Sequence, residues 1–207
     1  MSLATEFAKL SPTSIADALT RDRVMDFGIR PLWPGMPRVA GPAYTVRCAP
    51  GDNLMLHAAI YRAAPGDVIV VEAGDVDYAV AGGNVSAVAQ RRGVAAFVVD
   101  GAIRDVAEAR ERGFPILARG VIPIPGAKDT LGALGGPVRV GGVEVRPGDI
   151  VVGDEEGIVV VPVARAAAIL GAARTRADRD AATTLDAWEK AHSARIEETL
   201  RQKGFTG

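Results

Sequence analysis

Residues 98–105, Val-Val-Asp-Gly-Ala-Ile-Arg-Asp, hold the densest set of side chains in this chain that could do chemistry. An apolar run that reads as a buried strand comes to a tight turn at Asp100-Gly101, and a guanidinium and a carboxylate, Arg104 and Asp105, follow at once. Ligands of open α/β sheets bind outside the carboxyl ends of the strands. An arginine at such a position can grip a carboxylate with its planar fork. An aspartate there can hold a hard divalent cation, with water completing the shell. The same residues also read as an ordinary helix start, Asp105 favouring the helix dipole and pairing with Arg104 on the surface. Spacing alone leaves both readings open.

A second signal is Ala81-Gly82-Gly83-Asn84 ahead of a helical stretch. Unpaired N–H groups at a helix start bind anions, and a keto-acid carboxylate would suit them. The segment fits neither GxxxxGK[ST] nor GxGxxG, so a nucleotide site gains little support. A third is Lys128, in the loop Pro123-Ile-Pro-Gly-Ala-Lys-Asp129 after a strand, where it could face the same cleft or simply be solvated. His57 falls on an apolar helix face beside Leu54 and Ile60 and reads as a hydrogen-bonded core histidine; His192, in a charged helix, reads as solvated. Ser86 has no histidine near it in sequence, and Cys48 on an alternating strand reads as small and buried. A serine or cysteine nucleophile is therefore not expected.

The elements that must position these residues follow from periodicity and turn chemistry. A helix is expected over 11–20, capped by Ser11 with Pro12 in its first turn. Residues 44–48 alternate as a strand, Asp52 caps a helix over 53–63, and 68–71 and 95–99 are continuous apolar runs, hence buried strands. Helices are expected from Gly82 to about Arg92 and from Asp105 to about Arg112, with a third short strand at 115–118. Alternating strands and helices argue for a parallel unit with crossover helices. From Val121 the style changes to short strands at 138–140, 143–145, 150–152 and 158–161, separated by glycine turns, which reads as hairpins. Beyond Pro162 the chain is helical and broken near Thr183-Thr184, with Trp188 expected to pack against something. The class is mixed α/β: a βαβ core and a β-rich second half in residues 1–162, then a helical tail, 163–207, packing on that domain or on a neighbouring protomer.

Composition excludes several function classes. Lys and Arg number 24 against 25 Asp and Glu, a net charge of −1, which lacks the basic excess of a nucleic-acid binder. Aromatic residues are 5%, too few for a base-stacking platform. One cysteine and two histidines cannot build a thiolate zinc site, so any metal must rely on oxygen ligands, which points to Mg, Mn or Ca. No basic-then-apolar leader and no run of the roughly 18 apolar residues a bilayer requires is visible, so a cytoplasmic location without membrane contact is expected.

The segments PGDNLMLHAAIYRAAPGDVIVVEAG, GGNVSAVAQRRGVAAFVVDGAIRD and GGVEVRPGDIVVGDEEGIVVVP, with a loop lysine between the last two, resemble the RraA-like family over most of residues 13–162. That family includes metal-dependent 4-hydroxy-4-methyl-2-oxoglutarate aldolases, many of which also decarboxylate oxaloacetate. It also includes regulators of ribonuclease E, and some members carry an old label as menaquinone methyltransferases. The resemblance implies a swivelling β/β/α-type fold, a trimer or pair of trimers, and a site between protomers. It implies that Arg104 holds the keto-acid, Asp105 ligates Mg or Mn directly, the amides from Gly82, Gly83, Asn84 and Val85 bind the carboxylate, and Lys128 lines the cleft. One position departs: aldolase members usually carry an acid where Gly83 stands, helping to hold water on the metal. Asp178 or Asp180 from a neighbouring tail is one further source of an acid. The implied activity is cleavage of a C–C bond in a small 2-keto acid through a pyruvate enolate, with no lysine Schiff base required, no side chain standing out as a general base, and a metal-bound water that could take the proton of the C4 hydroxyl. The alternatives are a ribonuclease regulator without catalysis and a keto-acid binder without turnover.

Overall fold

The computed structural model describes residues 2–206. In chain order the elements are α1 (Leu3–Phe7), α2 (Pro12–Ala16), β1 (Arg30–Pro31), β2 (Val39–Arg47), α3 (Leu54–Ala59), β3 (Val68–Glu72), α4 (Gly83–Arg91), β4 (Ala96–Ile103), α5 (Val106–Glu111), β5 (Ile116–Val121), β6 (Ala133–Leu134), β7 (Val138–Val140), β8 (Val143–Val145), β9 (Ile150–Asp154), β10 (Gly157–Val161), α6 (Ala166–Ala182) and α7 (Leu185–Gln202). The fold is mixed α/β. Its main sheet has the order β1-β5-β4-β3-β2-β9-β10, with β6 pairing β2, and β7-β8 form a separate hairpin.

β2 through β5 run parallel and carry the helices α3, α4 and α5 between them. Val68, Ile69, Val70 and Val71 of β3 and the first four residues of β4 are all buried, as expected of strands covered on both faces. β2 joins the two halves of the sheet. Its second half, from Ala43, pairs parallel with β3, and its first half, Val39 to Pro42, pairs antiparallel with β9. Pro42 does not break it, so the strand expected at 44–48 begins already at Val39 and ends at Arg47.

Alternation along β9 and β10 supplies two cores. Val151, Ile158 and Val160 face the main core, whereas Ile150, Val152, Val159 and Val161 face a second cluster with α1, α2 and the first half of α6. Ile169, Leu170 and Ala173 of α6 are buried there, so the tail begins as part of the body. Thr184 caps α7 by accepting from the Ala187 N–H, which explains the break between the two tail helices. α7 has no buried residue among those described. Trp188 does not pack into the body of the protomer; it stacks on His192 with ring centroids 4.5 Å apart and stays half-exposed. Leu185 beside it is 75% exposed.

The strand that leads to Arg104 differs from the sequence expectation. β4 does not end at Asp100-Gly101 but runs to Ile103. Gly101 is not a turn residue: a Cβ on it would lie 2.4 Å from the Ala73 Cβ, so glycine is needed for close packing against the β3 side. Register jumps between Val99↔Ala118 and Ala102↔Gly120, so Asp100 and Gly101 together oppose Arg119 alone. This bulge shifts the in/out alternation by one residue just before Arg104 and Asp105.

Candidate functional site

The loops leaving the carboxyl ends of β2, β3, β4 and β5 converge and are tied together by backbone hydrogen bonds. Val80 N donates to Ala102 O (3.0 Å), Ala79 N to Ile124 O (2.8 Å), Ala127 N to Gly51 O (2.8 Å) and Asn53 N to Ala127 O (2.9 Å). One cleft results, lined by Asn53, His57, Gly82, Gly83, Asn84, Val85, Arg104, Asp105 and Lys128, among others. It lies where the strand-end rule puts ligand sites. All seven residues singled out by the sequence signals and the resemblance (Gly82, Gly83, Asn84, Val85, Arg104, Asp105 and Lys128) share this one cleft.

Asp105 has φ +59°, and it alone among the described non-glycine residues takes a positive φ. Such a backbone costs roughly 1 to 3 kcal/mol and persists where its surroundings hold it. Asp105 sits at the N-cap of α5 yet makes no side-chain capping bond to that helix. Its Oδ2 instead accepts from the Gly83 N–H across the cleft (2.9 Å), with Arg104 Nε 3.4 Å away. The simple capped helix start is thus not what forms. Gly82 makes the approach possible: a Cβ there would lie 2.5 Å from Asp105 Oδ2 and 3.0 Å from Arg104 Nε. The first-turn N–H groups of Asn84 and Val85 have no backbone partner among the described residues, which suits them to an anion.

Gly83 is as informative as Gly82. A Cβ on it would meet Glu108 Oε2 at 2.1 Å, so the Glu108 carboxylate fills the space a side chain at position 83 would begin to occupy. Glu108, on the first turn of α5, also accepts from Arg112 (3.2 Å). Sequence inspection gave Glu108 no role. The signal was its spacing, three residues beyond Asp105 and hence on the same side of a helix. Asp178 and Asp180 lie on α6 outside the cleft, and Asp180 pairs with Arg176 (2.7 Å).

The opposite wall comes from the start of α3. Asp52 Oδ1 accepts from Leu54 N (2.8 Å), while its Oδ2 accepts from Asp129 N (2.7 Å) and Thr130 N (2.9 Å), which anchors the Lys128 loop to α3. Burial works to raise the Asp52 carboxyl, but these three donors and Lys128 outweigh it and hold the group below its ordinary value. His57 is not a core histidine: it is half-buried and lines the cleft. Burial, and then Lys128, push its imidazole below its ordinary value, against the pull of Asp52, and so favour the neutral ring. Asn53 is buried, donates Nδ2 to Gly126 O (3.0 Å), and leaves Oδ1 without a partner.

No group of three or more His, Cys, Asp or Glu suited to a metal occurs among the described residues. Asp105 offers one carboxylate whose Oδ2 is already engaged, beside a cleft that water and an oxygen-rich ligand could share. That donor set fits Mg or Mn, which keep several waters and use one or two carboxylates plus substrate oxygens.

The remaining expectations sort plainly. Asp100 is structural: it pairs with Arg119, and its Oδ2 accepts from Gly141 N (2.7 Å). Cys48 is buried and its thiol is pushed up to about 11, so it is no nucleophile at neutral pH. Ser86 is buried and donates to Gly82 O (2.9 Å). No helix among the described residues is long and apolar enough to cross a membrane.

Comparison with known proteins identifies the family. The model of a family described as RraA-like (Aldolase/RraA) matches residues 12–160. A protein of Halalkalibacterium halodurans, provisionally named a 4-hydroxy-4-methyl-2-oxoglutarate aldolase, is 41% identical over 179 residues, covering 86% of this chain and 85% of its own. The 4-hydroxy-4-methyl-2-oxoglutarate aldolase of Thermus thermophilus is 36% identical over 129 residues, 62% of this chain and 78% of its own. Among solved structures, Streptomyces coelicolor RraAS2, described as an unusual member of the RNase ES inhibitor RraA protein family, superposes with a TM-score of 0.77 at 35% identity, covering 86% of this chain and 93% of that one. The family model spans well over half of the sequence, and the chain belongs to the RraA-like family.

Proposed function

We propose that the protein is a lyase that cleaves a C–C bond of a small 2-keto acid, as an aldolase of the 4-hydroxy-4-methyl-2-oxoglutarate type and as an oxaloacetate decarboxylase, with Mg or Mn held at Asp105. The names of the relatives support the aldolase part. The observation that carries the reading is the strained Asp105, turned away from its own helix beside Arg104 and the free amides of α4.

Both reactions leave an enolate of pyruvate. A divalent cation, when bound, supplies Lewis-acid stabilisation of charge on the keto oxygen. Arg104 directs a fixed positive charge at that oxygen and grips the adjacent carboxylate. The N–H groups of Asn84 and Val85 orient the carboxylate, and Lys128 adds positive charge at the mouth of the cleft. Asp105 is the protein's direct ligand to the cation. The exposed apolar residues Leu185 and Trp188 of α7 leave a surface that a second copy of the chain could cover, and assembly as a trimer or hexamer is the form the family resemblance implies.

The test is oxaloacetate decay and pyruvate release from 4-hydroxy-4-methyl-2-oxoglutarate, with EDTA, with Mg or Mn restored, and in Asp105→Ala. Turnover that EDTA and Asp105→Ala both abolish is expected. Unchanged turnover in a folded Asp105→Ala protein would exclude the assignment. A second reading, a ribonuclease regulator, draws on the RNA-processing inhibitor RraA from Thermus thermophilus, which superposes with a TM-score of 0.67 at 31% identity over 73% of this chain and 92% of that one. Absence of turnover with either substrate would favour it.

A further inference from the structure

We propose that His57 is the general base that removes the proton from the 4-hydroxyl of an aldol substrate, with Asn53 Oδ1 as the acceptor for the imidazole N–H. The proposal rests on the aldolase reading and extends it to a step for which sequence inspection found no side chain.

Two independent observations carry it. His57 is the histidine of the cleft, facing the same space as Arg104, Asp105 and Lys128. Asn53, the N-cap of α3 four residues earlier, also lines the cleft and is 2% exposed. Its orientation is fixed, because Nδ2 donates to Gly126 O and the flipped amide would set two oxygens against each other. Oδ1 is therefore a buried acceptor with no donor among the described residues. Leaving such an atom unpaired costs about 1 to 3 kcal/mol, and an N–H from a neighbouring imidazole would recover it. Acceptance of a proton turns both ring nitrogens into donors, so the charged form created during turnover is the form Asn53 serves best. Asp52, at the head of the same helix, favours that form, whereas Lys128 opposes it in the resting cleft.

The step balances as follows. The neutral imidazole takes the proton of the C4 hydroxyl. The C4–O bond becomes a carbonyl as the C3–C4 bond breaks, and that electron pair moves into the enolate of pyruvate. The imidazolium then returns the proton to C3. With 4-hydroxy-4-methyl-2-oxoglutarate both products are pyruvate. Oxaloacetate has no such hydroxyl: the C3–C4 bond breaks as carbon dioxide leaves, no substrate proton is removed, and the enolate of pyruvate takes its C3 proton from water, so the same site needs no base for it.

This difference makes the test. His57→Gln keeps a polar side chain of similar reach but cannot take a proton. With saturating Mg, kcat for cleavage of 4-hydroxy-4-methyl-2-oxoglutarate should fall about 100-fold, the low end of what a general base contributes. Oxaloacetate decarboxylation, measured on the same preparation, should fall at least about tenfold less than aldol cleavage does, and a thermal melt coincident with wild type reports that the fold is intact. Equal losses with both substrates would assign His57 a structural role and overturn the proposal, as would unchanged aldol cleavage. A wild-type protein that turns over neither substrate would remove the aldolase reading itself, and the proposal with it.

Discussion

Replacement of Gly82 by alanine should disable the site while sparing the fold. The residue caps α4 in an extended conformation, φ −147° and ψ −168°, which alanine adopts freely. Gly→Ala at a compatible position stabilises by roughly 0.4 to 1 kcal/mol through the unfolded chain. The added methyl, however, would sit 2.5 Å from Asp105 Oδ2, 0.9 Å short of the 3.4 Å at which ordinary contact begins, and 3.0 Å from Arg104 Nε. Both side chains are more than a third exposed and free to swing outward, so the strain is relieved by moving the carboxylate and the guanidinium rather than by unfolding. A displacement near 1 Å at a positioning group costs on the order of 100-fold in rate. Gly82→Ala should therefore lose about 100-fold in kcat/KM for oxaloacetate, with a melting temperature at or slightly above wild type. Steady-state kinetics with saturating Mn and a thermal melt on the same sample decide the matter. Wild-type kcat/KM in the folded variant would refute the view that the Asp105–Arg104–Gly83 arrangement is the working geometry.

Other outcomes follow from the same cleft. Arg104→Lys keeps the charge and loses the fork, so kcat/KM on oxaloacetate should drop at least about tenfold, or about 1.4 kcal/mol; near-wild-type kinetics would make Arg104 a surface ion-pair residue. Glu108→Gln should weaken Mn binding about tenfold, read by the free Mn signal in electron paramagnetic resonance, and Gly83→Glu combined with Glu108→Ala should restore it; unchanged affinity in Glu108→Gln would leave Glu108 with its Arg112 pair alone. Because the folded Asp52 carboxyl is held below its ordinary value, its contribution to stability is complete above the unfolded value and is lost as pH falls through the folded one. Denaturant midpoints taken from about pH 7 to about pH 3 should therefore fall less steeply in Asp52→Asn than in wild type; parallel slopes would rule out the Asp52 anchor of the Lys128 loop as a source of acid sensitivity.

What could be read from the sequence was what depends on neighbours along the chain. The apolar runs at 68–71 and 95–99 announced strands buried on both faces, the glycine turns announced the hairpins, and Thr183-Thr184 announced the break in the tail. Each rests on local periodicity or capping, which tertiary contacts did not override. Arg104 and Asp105 were legible for the same reason, as charges that follow a buried run. The length of β4 was not legible. Asp100-Gly101 looks like a turn, and only the packing of Gly101 on Ala73 and the bulge opposite Arg119 keep the strand going. His57 was misplaced because helical spacing reports which face is apolar but not which loops close over its edge. Gly51, Ala79 and Ala127 bring those loops to α3 through backbone hydrogen bonds that no side-chain pattern encodes. Glu108 and the orphaned Oδ1 of Asn53 were invisible for a related reason. The value of a missing Cβ at Gly83, or of an amide oxygen without a donor, depends on which atoms other strands deliver to that point, and that is decided only when the sheet is assembled.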